Sequence, residues 1–312
     1  MNRISTADSY AAIVANMMAA QQQLTSDSNQ LSSGNVASDL KGYASKAETL
    51  TAMQTVQSQV TGFISQNNVL ADKLTTQNTA LTQLSATATN AAQSIRQALA
   101  AGVGDSLMQS LQDQFQTAAD ALNTTYNGEY IFAGGQVTTP PLNVNSLTAL
   151  GAAPSIPGVF TNDQHASTSQ IDQNTTIQTG FLANQLGTPL MTAFQAIQNF
   201  ATGPGGPFTG TLTPAQITFL QGQMANLTAA GQTLTTTAAQ NGGLQTQVTN
   251  TQTDLSNQQA TLGTMIGGIT DANVAQVSAN LQQAQLAVQA SAQVFLALQN
   301  SSLLAVLQAS GH

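Results

Sequence analysis

At 312 residues and a net charge of −8, the chain carries only 6% charged residues, against roughly 25% in an ordinary soluble protein. All five basic residues (Arg3, Lys41, Lys46, Lys73, Arg96) lie in residues 1–96 beside five acids, whereas residues 97–312 hold eight acids and no Lys or Arg. Nucleic acid and anionic lipid are thereby excluded as partners, because both are held by Lys and Arg. The lack of cysteine removes disulfides, thiolate nucleophiles and thiolate metal sites together.

The first element is an amphipathic helix with Tyr10, Ile13, Met17, Ala20, Leu24 and Leu31 near heptad spacing, stopped by "SSG" at 32–34. Its opening, Arg3 followed by "YAAIVANMMAA", resembles a signal peptide only superficially. Asp8 and Asn16 interrupt it, and the apolar spacing runs on past any cleavage point. A long helix over 44–99 follows. Val60, Asn67, Leu74, Leu81, Ala88 and Ile95 share one heptad position, and Phe63, Leu70, Leu84 and Ala91 share the other. After the Gly102–Gly104 break a shorter helix carries Leu107, Leu111, Phe115, Ala118 and Leu122.

The stretch "NGEYIFAGGQVTTPPL" at 127–142 changes the pattern. Asn127-Gly128 is read as the end of the upstream helix, and Tyr130, Ile131 and Phe132 as a short extended piece. Gly134-Gly135 turns the chain, and Pro140-Pro141 bars helix from resuming. All eight prolines fall between 140 and 214, so the middle, 136–213, is expected to be β-rich, with strands at "VFT", "SQID" and "TTIQT" and a short helix over 191–201. "GPGGPFTG" at 203–210 reads as a flexible link, since it lacks the Lys and Ser/Thr of a phosphate loop.

Stepping by sevens from Leu220 gives Leu227, Leu234, Asn241, Val248, Leu255, Leu262 and Ile269. One helix of roughly 50 residues is expected there, unbroken by Gly242-Gly243. "TD" at 270–271 then caps a last helix with the seam Val274, Val277, Leu281, Ala284, Val288, Phe295 and Leu298. Both terminal helices are too narrowly apolar to be stable alone, so they are expected to pair with each other and with copies of themselves.

Catalytic chemistry finds little to work with. His165 stands in the loop "NDQHASTS" and His312 is the last residue, with no paired His and no carboxylate cluster. The chain is therefore read as a non-enzyme with no catalytic, cofactor-binding or metal site, and no cofactor. No run approaches the ~18 apolar residues needed to span a bilayer. Insertion of the last helix into a membrane, as by a secreted effector or translocator, is the rival reading, but that helix has no basic residue to meet lipid headgroups.

Paired terminal helices, a long-helix body drawn from both halves and a distinct middle resemble the bacterial flagellin superfamily. Within it, "RIST" with Tyr10, "QLSSG" (30–34), "NGEYIFAGGQVTTPPL", "DANVAQVSANLQQAQLAVQAS" and "SSLLAVL" are similar to the hook–filament junction family, the third hook-associated proteins. One departure stands after "SSG": "NVASDLKGYASKAETL" keeps Asp39 but lacks the second acid and the proline usual in the superfamily.

The resemblance implies a mainly α fold with a small β-rich insert, an elongated flagellin-like rod of long antiparallel, coiled-coil helices from both chain ends. The domains expected are 1–42 plus 270–312 (terminal, polymerising), 43–135 plus 214–269 (long-helix rod) and 136–213 (central outer domain). It also implies a structural adaptor ring joining hook to filament in the extracellular flagellum, exported through the type III apparatus without a cleaved signal peptide. Expected partners are copies of itself in a ring, the neighbouring hook-associated protein and flagellin, and a cytoplasmic chaperone on the C-terminal helix. A filament flagellin subunit is the alternative. The expected assembly interface is Ile13, Met17, Leu24, Leu31, Val274, Val277, Leu281, Val288, Phe295, Leu298, Leu303, Leu304 and Leu307. The expected seam between rod and outer domain is Tyr130, Phe132, Gly134, Gly135, Pro140 and Pro141.

Overall fold

The computed structural model describes the backbone of residues 2–309 and the side chains of residues 8 and 10–299. The chain divides into two units, residues 1–59 with 258–312, and residues 60–257. Seven α-helices run through the described residues: α1 (Asn2–Ser33), α2 (Ala47–Ala101), α3 (Leu107–Leu122), α4 (Leu147–Ala152), α5 (Ala183–Thr202), α6 (Pro214–Thr270) and α7 (Val274–Ala309). Strands are few. β1 (Thr125–Tyr126) pairs antiparallel with β2 (Glu129–Tyr130), and β3 (Thr168–Gln170) pairs antiparallel with β4 (Thr176–Gln178). The fold is mainly helical, with two small two-stranded sheets, the second of them (β3–β4) in the insert.

The larger unit is organised by a seam between α2 and α6. The heptad positions Leu220, Leu227, Leu234, Asn241, Val248 and Leu255 are all buried, and so are Val60, Asn67, Leu74, Leu81, Ala88 and Ile95. The two helices run antiparallel, because Ser85 donates to the Gly231 carbonyl (3.0 Å) while Asn241 and Gln245 each donate to the Leu74 carbonyl (2.9 Å). Gly231 fits where a Cβ would come within 3.2 Å of Thr89 Oγ1 and 3.4 Å of Ala88 Cβ. Helices α3 and α5 close the core from another side, with Phe115 and Phe194 edge-to-face at 5.9 Å. Gly242-Gly243 lie inside α6, as the unbroken heptad register requires.

The polar seam positions have specific work. Asn67 donates to the Ile171 carbonyl (2.8 Å) and Gln77 to the Thr179 carbonyl (3.1 Å), which pins the β3–β4 hairpin onto α2. A second small core of Leu70, Leu74, Ile171 and Val248 forms under that hairpin. The pieces "SQID" and "TTIQT" thus supply β3 and β4, while "VFT" supplies Phe160, bridged to Leu142.

Several local readings change. The helix expected over 191–201 begins at Ala183 and passes through Pro189. Its first turn is held from outside, with Ala183 N–H donating to Phe132 O (2.9 Å) and Asn184 N–H to Asn162 Oδ1 (3.1 Å). These external acceptors and the core behind the helix offset the one bond that Pro189 cannot donate. "GPGGPFTG" is not a free link. Phe208 is buried, Phe200 stacks on Phe208 and Phe219, and Gln216 donates to the Gly205 and Pro207 carbonyls. Thr213 and Gln216 form a capping box, with Gln216 N–H on Thr213 Oγ1 (3.3 Å) and Thr213 N–H on Gln216 Oε1 (3.0 Å). Pro214 occupies the first helical position, where its missing N–H costs nothing.

In the smaller unit α1 ends where expected, at Gly34, whose φ of +74° and N–H to Gln30 O (2.8 Å) make a left-handed cap. "TD" does not cap α7. Thr270 and Asp271 finish α6, and Asn273 is the cap, its Oδ1 accepting Gln276 N–H (3.1 Å). Asp39 caps a 3₁₀ turn over Leu40–Lys46 by accepting Gly42 N–H (2.9 Å). The acid that remains after "SSG" therefore nucleates the turn even though its usual companions are missing.

If the seam carries the larger unit, Leu81→Ala should lower unfolding stability by about 2–5 kcal/mol. Thr249→Ala, an exposed residue on α6, should change it by less than about 0.5 kcal/mol. Urea titrations of the two variants check the contrast.

Candidate functional sites

Two regions hold the residues singled out from the sequence. The first is the antiparallel pair α1–α7. Its open end is fixed by backbone bonds, Val36 N–H to Thr270 O (2.7 Å) and Ala272 N–H to Gly34 O (2.8 Å). Further along, Tyr10 and Phe295 meet edge-to-face at 5.8 Å. This contact joins two residues that the heptad pattern had placed on facing seams.

The thirteen expected interface residues are not equivalent. Val277 is buried, at 5% exposed, together with its neighbour Ala284. Ile13, Met17, Leu24, Leu281, Val288, Phe295 and Leu298 are half-buried. Leu31 (39% exposed) and Val274 (55%) stand in solvent. Leu303, Leu304 and Leu307 lie on α7, with side chains outside the described residues. Helix pairing alone therefore leaves most of this stripe partly open. Reading by heptads passed over a second set, Met18 (61% exposed), Leu286 (66%), Val294 and Leu296, which lie off the seam and face solvent. Their signal was simple: apolar residues on two sides of one helix, more than one partner helix can cover.

One polar residue breaks the pattern. Asp27 is buried on α1, with Oδ1 accepting from Gln23 Nε2 (2.9 Å) and Oδ2 without a hydrogen bond. A pocket of about 780 Å³ lies beside the end of α1 and is lined by Ser26, Asn29, Asn35, Ser38 and Asp39 among others. Its carboxylate, Asp39, is already engaged as the cap of the 3₁₀ turn. Among the described residues no group of three His, Asp or Glu side chains is placed to hold a metal ion, and no helix is long and apolar enough to cross a membrane.

The second region is the segment 123–142. Asn127-Gly128 does not end a helix, because α3 stops at Leu122. Asn127 (φ +52°) and Gly128 (φ +83°) form the two-residue turn between β1 and β2, the left-handed geometry that an Asn-Gly pair supplies at low cost. Tyr130 lies in β2 and is half-buried. Ile131 and Phe132 enter the main core, and Phe132 O receives the first N–H of α5. Pro140 is exposed and Pro141 buried, and both carbonyls accept from Thr161, Pro140 O from its hydroxyl and Pro141 O from its N–H. Asn123 clamps the next residue on both sides, with Nδ2 to Leu142 O (3.0 Å) and Oδ1 from Leu142 N–H (2.9 Å).

Gly134 is buried with φ +68°, and an added Cβ would strike Asp163 Oδ1 and approach His165 O to 2.9 Å. Gly135 is exposed, and its N–H is the leading influence that holds the Asp163 carboxyl below its usual value, followed by the N–H of His165. His165 itself is open to solvent, with Nδ1 3.8 Å from Asp163 Oδ2. The histidine is thus the edge of a loop anchor, and Asp163 is the anchor. Asp172 is lowered likewise, first by the Asn174 N–H.

Residues 4–137 match the family described as the bacterial flagellin N-terminal helical region. No curated protein matches the chain in sequence. Among solved structures, a flagellar hook-associated protein from Vibrio parahaemolyticus superposes with a TM-score of 0.60 at 13% identity, covering 72% of this chain and 97% of its own. FlgL from Bacillus cereus superposes with a TM-score of 0.52 at 15% identity, covering 70% of this chain and 99% of its own. At such identities the likeness is one of fold.

Two outcomes test the loop anchor. Gly134→Ala should cost about 1–3 kcal/mol, since it strains a left-handed backbone and displaces Asp163. Carboxylates whose native pKa is lowered contribute stability that is full above their unfolded value of 3.8 and is lost as pH falls towards the lower native value. The denaturation midpoint should therefore drop below about pH 4, and Asp163→Asn should flatten part of that drop.

Residues 4–137 are thus similar to the bacterial flagellin N-terminal helical region, and the chain shares its helical fold with a solved flagellar hook-associated protein and with FlgL.

Proposed function

We propose that this chain is a structural component of the bacterial flagellum, an adaptor that joins hook to filament and assembles by burying α1 and α7 against copies of itself. The observation that carries the reading is the state of the α1–α7 pair. Its helices are paired and in register, yet most of the expected stripe remains half-buried and Met18, Val274, Leu286 and Leu296 are more than half exposed. Fully burying one such side chain is worth about 1.5–3 kcal/mol. A ring of copies gains that term at many positions at once. A solved protein named for hook association shares the fold at low identity, which supports the assignment to this class.

In this reading residues 1–42 and 270–312 polymerise, residues 43–135 and 214–269 form the helical body, and 136–213 is an insert carried by it. Tyr130, Phe132, Gly134, Gly135, Pro140 and Pro141 mark where the insert leaves the body. The ring contacts another hook-associated protein on one side and flagellin on the other. Before assembly a cytoplasmic chaperone covers α7, and export proceeds through the type III apparatus without cleavage. The absence of disulfides suits passage as an unfolded chain.

Deleting the gene should leave cells with hooks but without filaments, and with flagellin shed into the medium. Loss of filaments with no shed flagellin would instead identify a filament subunit, and full-length filaments would remove both readings. Truncation of residues 272–312 should give a soluble protein that keeps the α2–α6 core and no longer assembles. Loss of most helical circular dichroism on that truncation would contradict the division of labour.

A further inference from the structure

We infer that Asn127 is a site of spontaneous deamidation, a modification that the folded protein concentrates at one residue. The sequence holds two Asn-Gly pairs, Asn127-Gly128 and Asn241-Gly242, and glycine lets the following backbone nitrogen approach the carboxamide without a side chain in the way. The fold treats the pairs oppositely. Asn241 is fully buried in the α2–α6 seam, its Nδ2 held by the Leu74 carbonyl, and Gly242 is inside a helix. Asn127 and Gly128 are both exposed at the tip of the β1–β2 hairpin. Among the described residues neither the Asn127 carboxamide nor the Gly128 N–H has a hydrogen-bond partner. The paired strands are two residues each, so the tip opens at small cost.

The chemistry needs only water. The Gly128 nitrogen attacks Asn127 Cγ, the new C–N bond closes a five-membered imide, and the Cγ–Nδ2 bond breaks. Ammonia leaves, carrying the proton lost by the attacking nitrogen. Water then adds to one of the two imide carbonyls and opens the ring. One opening gives aspartate. The other gives isoaspartate, in which the backbone runs through the former side chain and is one methylene longer. Either product places a new negative charge two residues from Glu129, in the half of the chain that has no Lys or Arg. The isoaspartate also lengthens the turn just ahead of Ile131 and Phe132, which are in the core.

The test is to age the purified full-length chain in mildly alkaline buffer and map its peptides by mass spectrometry, with isoaspartate labelled by a protein isoaspartyl methyltransferase. The same is done in denaturant. In the folded protein the exchange of amide for acid should accumulate at Asn127 at least roughly tenfold faster than at Asn241. That ratio corresponds to an opening cost of about 1.4 kcal/mol for the seam. In denaturant the two sites should converge. Asn127 unchanged in the folded protein overturns the inference, as does conversion of Asn241 at an equal rate. A folded-state rate at Asn127 far below its rate in denaturant would show that the turn protects it, and would overturn the inference too.

Discussion

The seam between α2 and α6 is the interaction on which the larger unit depends. Neither helix is strongly apolar, and their surfaces are rich in Gln, Thr, Asn and Ser, so the apolar burial that joins them is the stripe from Leu220 to Leu255 against Val60 to Ile95. With few charges available, specificity falls to neutral amides. Asn241 and Gln245 fix the register at Leu74, and Ser85 fixes it at Gly231. Asn67 and Gln77 then reach out of the same seam to hold the β3–β4 hairpin. Each of Asn67, Gln77 and Asn241 leaves its oxygen without a hydrogen bond, which costs stability and excludes alternative registers that would bury these amides with no partner at all.

The smaller unit follows another logic. Where the α2–α6 stripe is closed, the α1–α7 stripe is mostly half-open, although its backbone is tied at Gly34–Ala272 and its aromatic pair is in place. Local stability scales with buried apolar contact. Burial thus separates a closed core in the larger unit from an α1–α7 pair whose apolar stripe is left partly open.

How much of this was legible depended on period. Heptads over 220–269 located α6 to within a few residues of its ends, because a strict seven-residue repeat survives two glycines when the partner helix supplies the burial. The same pattern placed Tyr10 and Phe295 on facing stripes. It could not tell Val277, which is covered, from Val274 three residues earlier, which is not, since the choice depends on where α6 ends and Asn273 begins the next helix. Short motifs were the weak point. The Asn-Gly hairpin turn was read as a helix end, and "TPAQ" at 213–216 went unread although it is a capping box with Pro at the first helical position. "GPGGPFTG" looked free because composition does not reveal that Phe208 has a core to enter. The helix expected over 191–201 starts earlier, because acceptors supplied by Phe132 and Asn162 let α5 begin at Ala183, before Pro189.

Amide hydrogen exchange read residue by residue, on the monomer and on assembled flagella, tests the central claim most directly. The account predicts that in the monomer α1 and α7 exchange much faster than the seam segments around Leu81 and Leu234, and that assembly slows them towards the seam's rate. Monomer α1 and α7 amides as protected as those of the seam, or no gain on assembly, would contradict it.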